Sequence, residues 1–292
     1  MDERIGIIGA GVVGTAVGVV LHSKGFEVTG VYDIRPESTM ALVERLGCTA
    51  FPTPKEVSRS ADILFITTAD GSIRQVVDEL AREQAFHPEQ VVVHMSGAHS
   101  SEILDPAKAW GARVLSVHPL QSFASLDRAI QNLPGSVFSI EGDQEAHDRA
   151  VTIVESLGGE YFFIERKAKP LYHAGACVVS NYLVTVVDLG VKLLEASGMP
   201  GPVAIKALMP LILGTVNNIQ EIGIPKALTG PISRGDLATV QTHLERIREQ
   251  APELLRLYSC IGYETARIAR AKGTIDPTGQ AEFERLLEEE IP

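Results

Sequence analysis

The sequence predicts an α/β chain in two parts, a doubly wound parallel sheet over residues 1–167 followed by an all-helical domain over residues 168–292. Three observations predict it. Short β-branched runs alternate with helical patterns through the first half, the strand pattern stops after Arg166, and long segments of helical period follow. A length of 292 residues suits about two domains and leaves ample chain for a buried core.

In order, strands are expected at Ile5–Ile8, Glu27–Tyr32, Ile63–Thr67, Val91–Met95, Val114–Val117 and Val137–Ile140, with Tyr161–Ile164 closing the sheet. Helices are expected at Leu171–Ser197, Val203–Ile222, Asp236–Lys272 with a break at Pro252, and from Gln280 onward. Leu171–Ser197 is apolar nearly all round, which predicts a helix inside a domain core.

Composition narrows the function. Apolar residues make up 45% and charged residues 22%, ordinary globular usage with no disordered stretch. A net charge of −11 repels nucleic-acid phosphates and anionic membranes, so neither is an expected partner. The three cysteines, Cys48, Cys177 and Cys260, are far apart and form no CxxC pair; no metal is expected, and a reducing cytoplasm fits them. The amino terminus, Met1-Asp2-Glu3-Arg4, passes into a strand pattern without the features of a signal peptide. Gly, Asn, Asp or His interrupt the apolar stretches before about 18 residues accumulate, so no membrane-spanning helix is expected.

The strongest motif is Gly9-Ala10-Gly11-Val12-Val13-Gly14, which follows the first strand and runs into the helical stretch Thr15–Ser23. In that context GxGxxG reads as a dinucleotide-binding loop of Rossmann type. Gly9 permits the tight turn, Gly11 lets the backbone approach a pyrophosphate, and Gly14 allows close helix–strand packing. Asp33, 22 residues after Gly11 at the end of the second strand, is placed to accept hydrogen bonds from an adenosine ribose, which leans towards NAD. Arg35 is placed to hold the 2′-phosphate of NADP instead, or stands as a solvated loop cation. The expected cofactor is therefore NAD or NADP.

Ligands in open α/β sheets sit beyond the carboxyl ends of the strands. Thr68 and Asp70 follow the third strand and are expected to border the nicotinamide ribose, whereas Ser96, Gly97 and His118 follow the next two and are expected to border the substrate. Helix capping alone would explain Asp70 or Ser96, and a rigid turn before Pro119 would explain His118. On the helix Leu171–Ser197, the polar residues His173, Cys177, Ser180, Asn181 and Asp188 fall within about 100° of one another, one face that predicts a polar cleft between domains. Between two later helices, Asp236 reads as a helix cap, but Arg234 has no capping duty; its guanidinium fork suits a substrate carboxylate.

Four segments together resemble a known family. They are the glycine loop, His118-Pro119-Leu120-Gln121-Ser122-Phe123, Tyr172-His173-Ala174 with Ser180-Asn181-Tyr182, and Thr229-Gly230-Pro231-Ile232-Ser233-Arg234-Gly235-Asp236. They look like the bacterial two-domain proteins that join a Rossmann-like half to a helical half of unknown function. The architecture is similar to ketopantoate reductase, pyrroline carboxylate reductase and the hydroxyisobutyrate dehydrogenase group, and the resemblance implies an NAD(P)-dependent oxidoreductase of a small oxo or hydroxy acid. Two of those relatives place a Lys four residues before an Asn on the first long helix; here Asn181 fits but Cys177 stands where the Lys would be. The proton donor is therefore expected to be His173, with His118 next, while Asn181 and Ser96 orient the oxygen. A non-catalytic NAD(P)-binding sensor or assembly protein is the alternative. The apolar second-domain helices need partners, which predicts a homodimer.

Overall fold

The computed structural model describes residues 3–291; Met1 and Asp2 of the amino-terminal opening lie outside the described residues. The chain divides into two compact units, Met1–Ser180 and Asn181–Pro292. In the first unit, β1 (Arg4–Ile8), β2 (Glu27–Tyr32), β3 (Thr49–Ala50), β4 (Ile63–Ile66), β5 (Val91–His94), β6 (Arg113–Pro119), β7 (Val137–Gly142) and β8 (Glu160–Phe163) form one sheet in the order β3-β2-β1-β4-β5-β6-β7-β8.

The central strands β4 and β5 are buried at every position because both faces of the sheet are covered. Phe65 and Val93 join one buried layer with Val17 and Leu21 of α1 (Val12–Ser23) and Leu42 of α2 (Pro36–Leu46). The same layer takes Ala129 of α5 (Leu126–Asn132) and Ile153 of α6 (His147–Ser156). Their strand neighbours Leu64, Ile66 and Val92 join the other layer with Val57 of α3 (Pro54–Ser60) and Val77 and Leu80 of α4 (Asp70–Arg82). This is the doubly wound arrangement.

One pairing departs from the expected parallel sheet. β6 and β7 are antiparallel, whereas the other adjacent pairs are parallel. The chain leaves β6 at Pro119 and enters β7 at Val137 on the same edge, with Pro119 opposite Phe138, so it does not cross the sheet in between. The consequence is local: His118, at the end of β6, stands directly opposite Ser139.

After β8 the chain is helical, with α7 (Lys169–Ala196), α8 (Gly201–Ile222), α9 (Leu237–Gln250), α10 (Leu255–Lys272) and α11 (Pro277–Glu288). The period does change near 167, but the compact units divide inside α7, because its first turns pack on the sheet through Lys169 and Tyr172. Two expectations about the helices are corrected. α7 is not a core helix: Leu171 is 81% exposed and Val179 71%, and the second unit's core is built instead from Val240, Leu244, Ala266, Phe283 and their neighbours on α9, α10 and α11. The stretch including α7, and α8 as well, are also long and apolar enough to cross a membrane by length and composition, because the few polar and charged residues that interrupt them leave each stretch apolar on average.

Candidate functional site

The glycine loop is built by three different constraints. Gly9 turns at φ +101°, where a Cβ would lie 2.6 Å from the backbone of Thr67 and Thr68. A Cβ on Gly14 would collide with the Gly9 carbonyl oxygen and the Thr67 hydroxyl. Gly11 has nothing within 4 Å of such a Cβ, so the space over it is open. α1 begins at the next residue and no side chain caps its first N–H groups. Open space above Gly11 and free N–H donors are what a pyrophosphate requires, so these residues fit a dinucleotide. Thr67, absent from the sequence argument, fastens the loop by donating from its hydroxyl to the Gly9 carbonyl at 2.7 Å.

At the end of β2, Asp33 is turned inward. One carboxylate oxygen accepts the Ala10 N–H at 2.8 Å and the other accepts the Arg35 N–H at 2.9 Å, leaving the side chain 8% exposed. Arg35 is 60% exposed. Beside the loop lies a pocket of about 380 Å³ lined by Tyr32, Asp33, Arg35, Thr68, Ser72 and Gln75, among others. Asp70 is the first residue of α4, whose N-cap is Ala69. The loop, the strand end and this pocket lie together, with room and donors that fit a dinucleotide such as NAD or NADP.

Two strands further along, the segment after β5 is pinned from several sides. His94, fully buried, bonds through Nε2 to the Ser100 carbonyl at 3.1 Å and accepts the Ser96 N–H at Nδ1. Those two bonds fix its proton on Nε2. The Ser96 hydroxyl accepts the N–H groups of Ala98 and His99, both at 3.2 Å, so it is first of all a turn-former. Glu141 accepts the Ser101 N–H and hydroxyl, which holds the far end.

Gly97 stands where this segment meets two imidazoles. A Cβ there would lie 2.7 Å from His118 Nε2 and 2.8 Å from His173 Cδ2, so only glycine lets both rings approach. The two ring centres are 6.5 Å apart. His118 Nδ1 lies 2.8 Å from the Tyr172 hydroxyl, while the nearest side-chain partner of His173 is the Cys177 sulfur at 3.8 Å. Beneath them Lys169, 1% exposed, donates to the Ser96 carbonyl at 3.0 Å and the Ser116 hydroxyl at 2.7 Å. Burial lowers its pKa to about 8. Burial and the Lys169 charge hold both His94 and His118 down at about 3, so both rings are neutral near pH 7.

The structure thus brings together Ser96, Gly97, His118 and His173, and adds His94, Lys169 and Tyr172, which the sequence argument did not assign. Asn181 and Arg234 belong to the second unit. Asn181 is exposed on α7, and Arg234 is exposed in the turn before Asp236, which caps α9 by accepting the Thr239 N–H at 3.1 Å. Asp188, expected on a polar cleft, is paired with Lys192 at 2.7 Å, and both are half exposed.

Comparison with known proteins agrees with this architecture. A Rossmann-like domain matches residues 2–119, and a domain of unknown function, DUF2520, matches residues 136–265. The chain thus joins these two domains. No curated protein matches it. Among solved structures it is similar to protein TM1727 from Thermotoga maritima, with a TM-score of 0.73 and 26% identity over 92% of this chain and 99% of that one. A candidate NADP oxidoreductase, BF3122 from Bacteroides fragilis, gives 0.71 and 23% over 91% and 98%. An imine reductase from Pseudomonas sp. gives 0.63 and 16% over 92% and 96%.

Proposed function

We propose that the protein is an NAD(P)-dependent reductase of a small oxo acid, with ketopantoate the first substrate to test. The observation that carries this reading is the meeting of His118 and His173 over Gly97, at the carboxyl ends of the strands that follow the dinucleotide loop. Structural neighbours described as an oxidoreductase and a reductase support the class.

When bound, the reduced nicotinamide supplies a hydride. The backbone of Gly9 to Gly14 holds the pyrophosphate, and Thr68 and Asp70 border the ribose next to the nicotinamide. Asp33 is occupied in bracing the loop, so Arg35, exposed on the adenosine pocket, is the residue that reads a 2′-phosphate, which favours NADP. The Lys169 ammonium lies behind the segment Ser96–Ser100, with Glu141 and Asp70 nearby but no charged partner within hydrogen-bond reach among the described residues, and its field favours an anionic substrate over a cationic iminium. The imidazole pair serves the reacting oxygen, with His173 giving the proton.

The test follows absorbance of the reduced nicotinamide with a panel of oxo acids and one cyclic imine acid. Oxidation that depends on an oxo acid is expected. His173→Ala is expected to lower turnover by roughly 100-fold to 10,000-fold with cofactor affinity unchanged, and Asn181→Ala by a smaller factor. Arg234→Lys is expected to raise the Michaelis constant if that guanidinium holds the substrate carboxylate. Tight NADP binding with no oxidation by any oxo acid would overturn the reading in favour of a non-catalytic binding protein.

A further inference from the structure

The imidazole of His118 is held by a residue that the reading above does not use. Its Nδ1 lies 2.8 Å from the Tyr172 hydroxyl. Ser139 stands opposite His118 on β7 and is fully buried, and its hydroxyl has no partner of good hydrogen-bond geometry. Among the described residues the Tyr172 hydroxyl is therefore left to His118 alone. Tyr172 is itself fixed by ring contacts, edge-on to His118 with centres 5.6 Å apart and edge-on to Phe162 at 6.0 Å.

The direction of the bond follows from donor arithmetic. The phenol proton of Tyr172 has one acceptor within hydrogen-bond distance among the described residues, His118 Nδ1, which therefore accepts it. The ring's own proton is thereby placed on Nε2, the nitrogen that faces Gly97. The other titratable groups around the ring are Lys169 and His173 from α7 and His94 from β5. All three lower its proton affinity or leave it alone, and no carboxylate raises it. The ring therefore stays neutral where the enzyme works.

We propose that Tyr172 is a positioning residue that locks His118 as a neutral Nε2–H hydrogen-bond donor aimed at the reacting oxygen. Resting on the reductase reading, this divides the work of the pair. His118 polarises the carbonyl through Nε2–H without giving up its proton, and His173 delivers the proton that the product oxygen keeps. A neutral imidazole suits the first task because it donates a strong hydrogen bond without exchanging its own proton.

The test begins without substrate. Nitrogen-15 NMR of the full-length protein labelled at histidine is expected to show His118 as the neutral Nε2–H tautomer from pH 5 to 8. In Tyr172→Phe the ring is expected to lose that single tautomer, and kcat on the active oxo acid is expected to fall about 10-fold to 100-fold with the Michaelis constant for NADPH unchanged. An Nδ1–H tautomer or an imidazolium at pH 6 in the wild type would overturn the proposal, as would full kcat in Tyr172→Phe. If Tyr172→Phe does not fold, the wild-type spectrum still decides. Failure of every oxo acid sinks the reductase reading and leaves the tautomer result standing, so the two failures are distinguishable.

Discussion

Gly11 and Gly14 lie three residues apart, yet a side chain at each meets opposite fates. Gly11 faces open space in an extended conformation that any residue adopts, so Gly11→Val is expected to keep the thermal midpoint of the parent and to lose dinucleotide binding in calorimetry. Gly14→Ala is expected to lose both, because its methyl group would run into the Gly9 carbonyl and the Thr67 hydroxyl that fasten the loop. The motif predicts three roles for three glycines, and each reflects a different contact. Asp33 was less legible. Its spacing from Gly11 places an acid at the strand end, but the spacing does not reveal that the N–H groups of Ala10 and Arg35 occupy the carboxylate. Arg35→Ser is accordingly expected to weaken NADP binding by at least about 10-fold while NAD binding barely changes. Equal weakening of both would return the ribose to Asp33.

At the scale of elements, the segment Ser96–Ser100 depends on a buried histidine, and that dependence has a pH signature. His94 and His118 are held near 3 in the folded protein, whereas a free imidazole titrates near 6.5. As pH falls below about 6.5 the unfolded chain takes up these protons and the folded chain does not. Stability is therefore whole above that pH and lost as pH falls towards 3, by about 1.4 kcal/mol per pH unit for each ring. The thermal midpoint is expected to drop between pH 7.5 and 5.5, and His94→Asn to show a smaller drop from a lower starting point. An equal drop in both would remove His94 from the account. Strand positions were legible to within a few residues because apolar β-branched runs mark them, whereas the two-residue β3 left no such run. Lys169 was missed because a lysine at a helix entrance looks like an ordinary solvated cation. Its burial is decided by Ser96 and Ser116, 73 and 53 residues away in sequence. The antiparallel turn of β7, which brings Ser139 to His118, likewise depends on the path of a connection that no residue pattern announces.

At the scale of the whole molecule, α7 and α8 pose one question, namely what covers them. On α8, Ile205, Met209, Leu213, Val216 and Ile219 recur at helical spacing, and each is more than a third exposed, while Ala204 is the residue that α8 buries. Burying a side chain of this kind contributes about 1.5–3 kcal/mol, so leaving the whole row in water is a large cost. Lipid would cover the apolar groups, but it would leave Ser180 and Asn181, exposed on α7, without partners, which is costly in hydrocarbon. A second copy of the chain can meet both needs, burying the apolar rows and offering polar groups to the stripe, so the protein is expected to be a homodimer through these helices. Sedimentation in detergent-free buffer at micromolar concentration is expected to give twice the mass of the 31.4 kDa chain. Leu213→Glu combined with Val216→Glu, both placed on that row, is expected to yield a monomer that still binds NADP, because the dinucleotide loop belongs wholly to the first unit. A parent that sediments as a monomer, or that stays in solution only with detergent, would show that something other than a second copy covers the row.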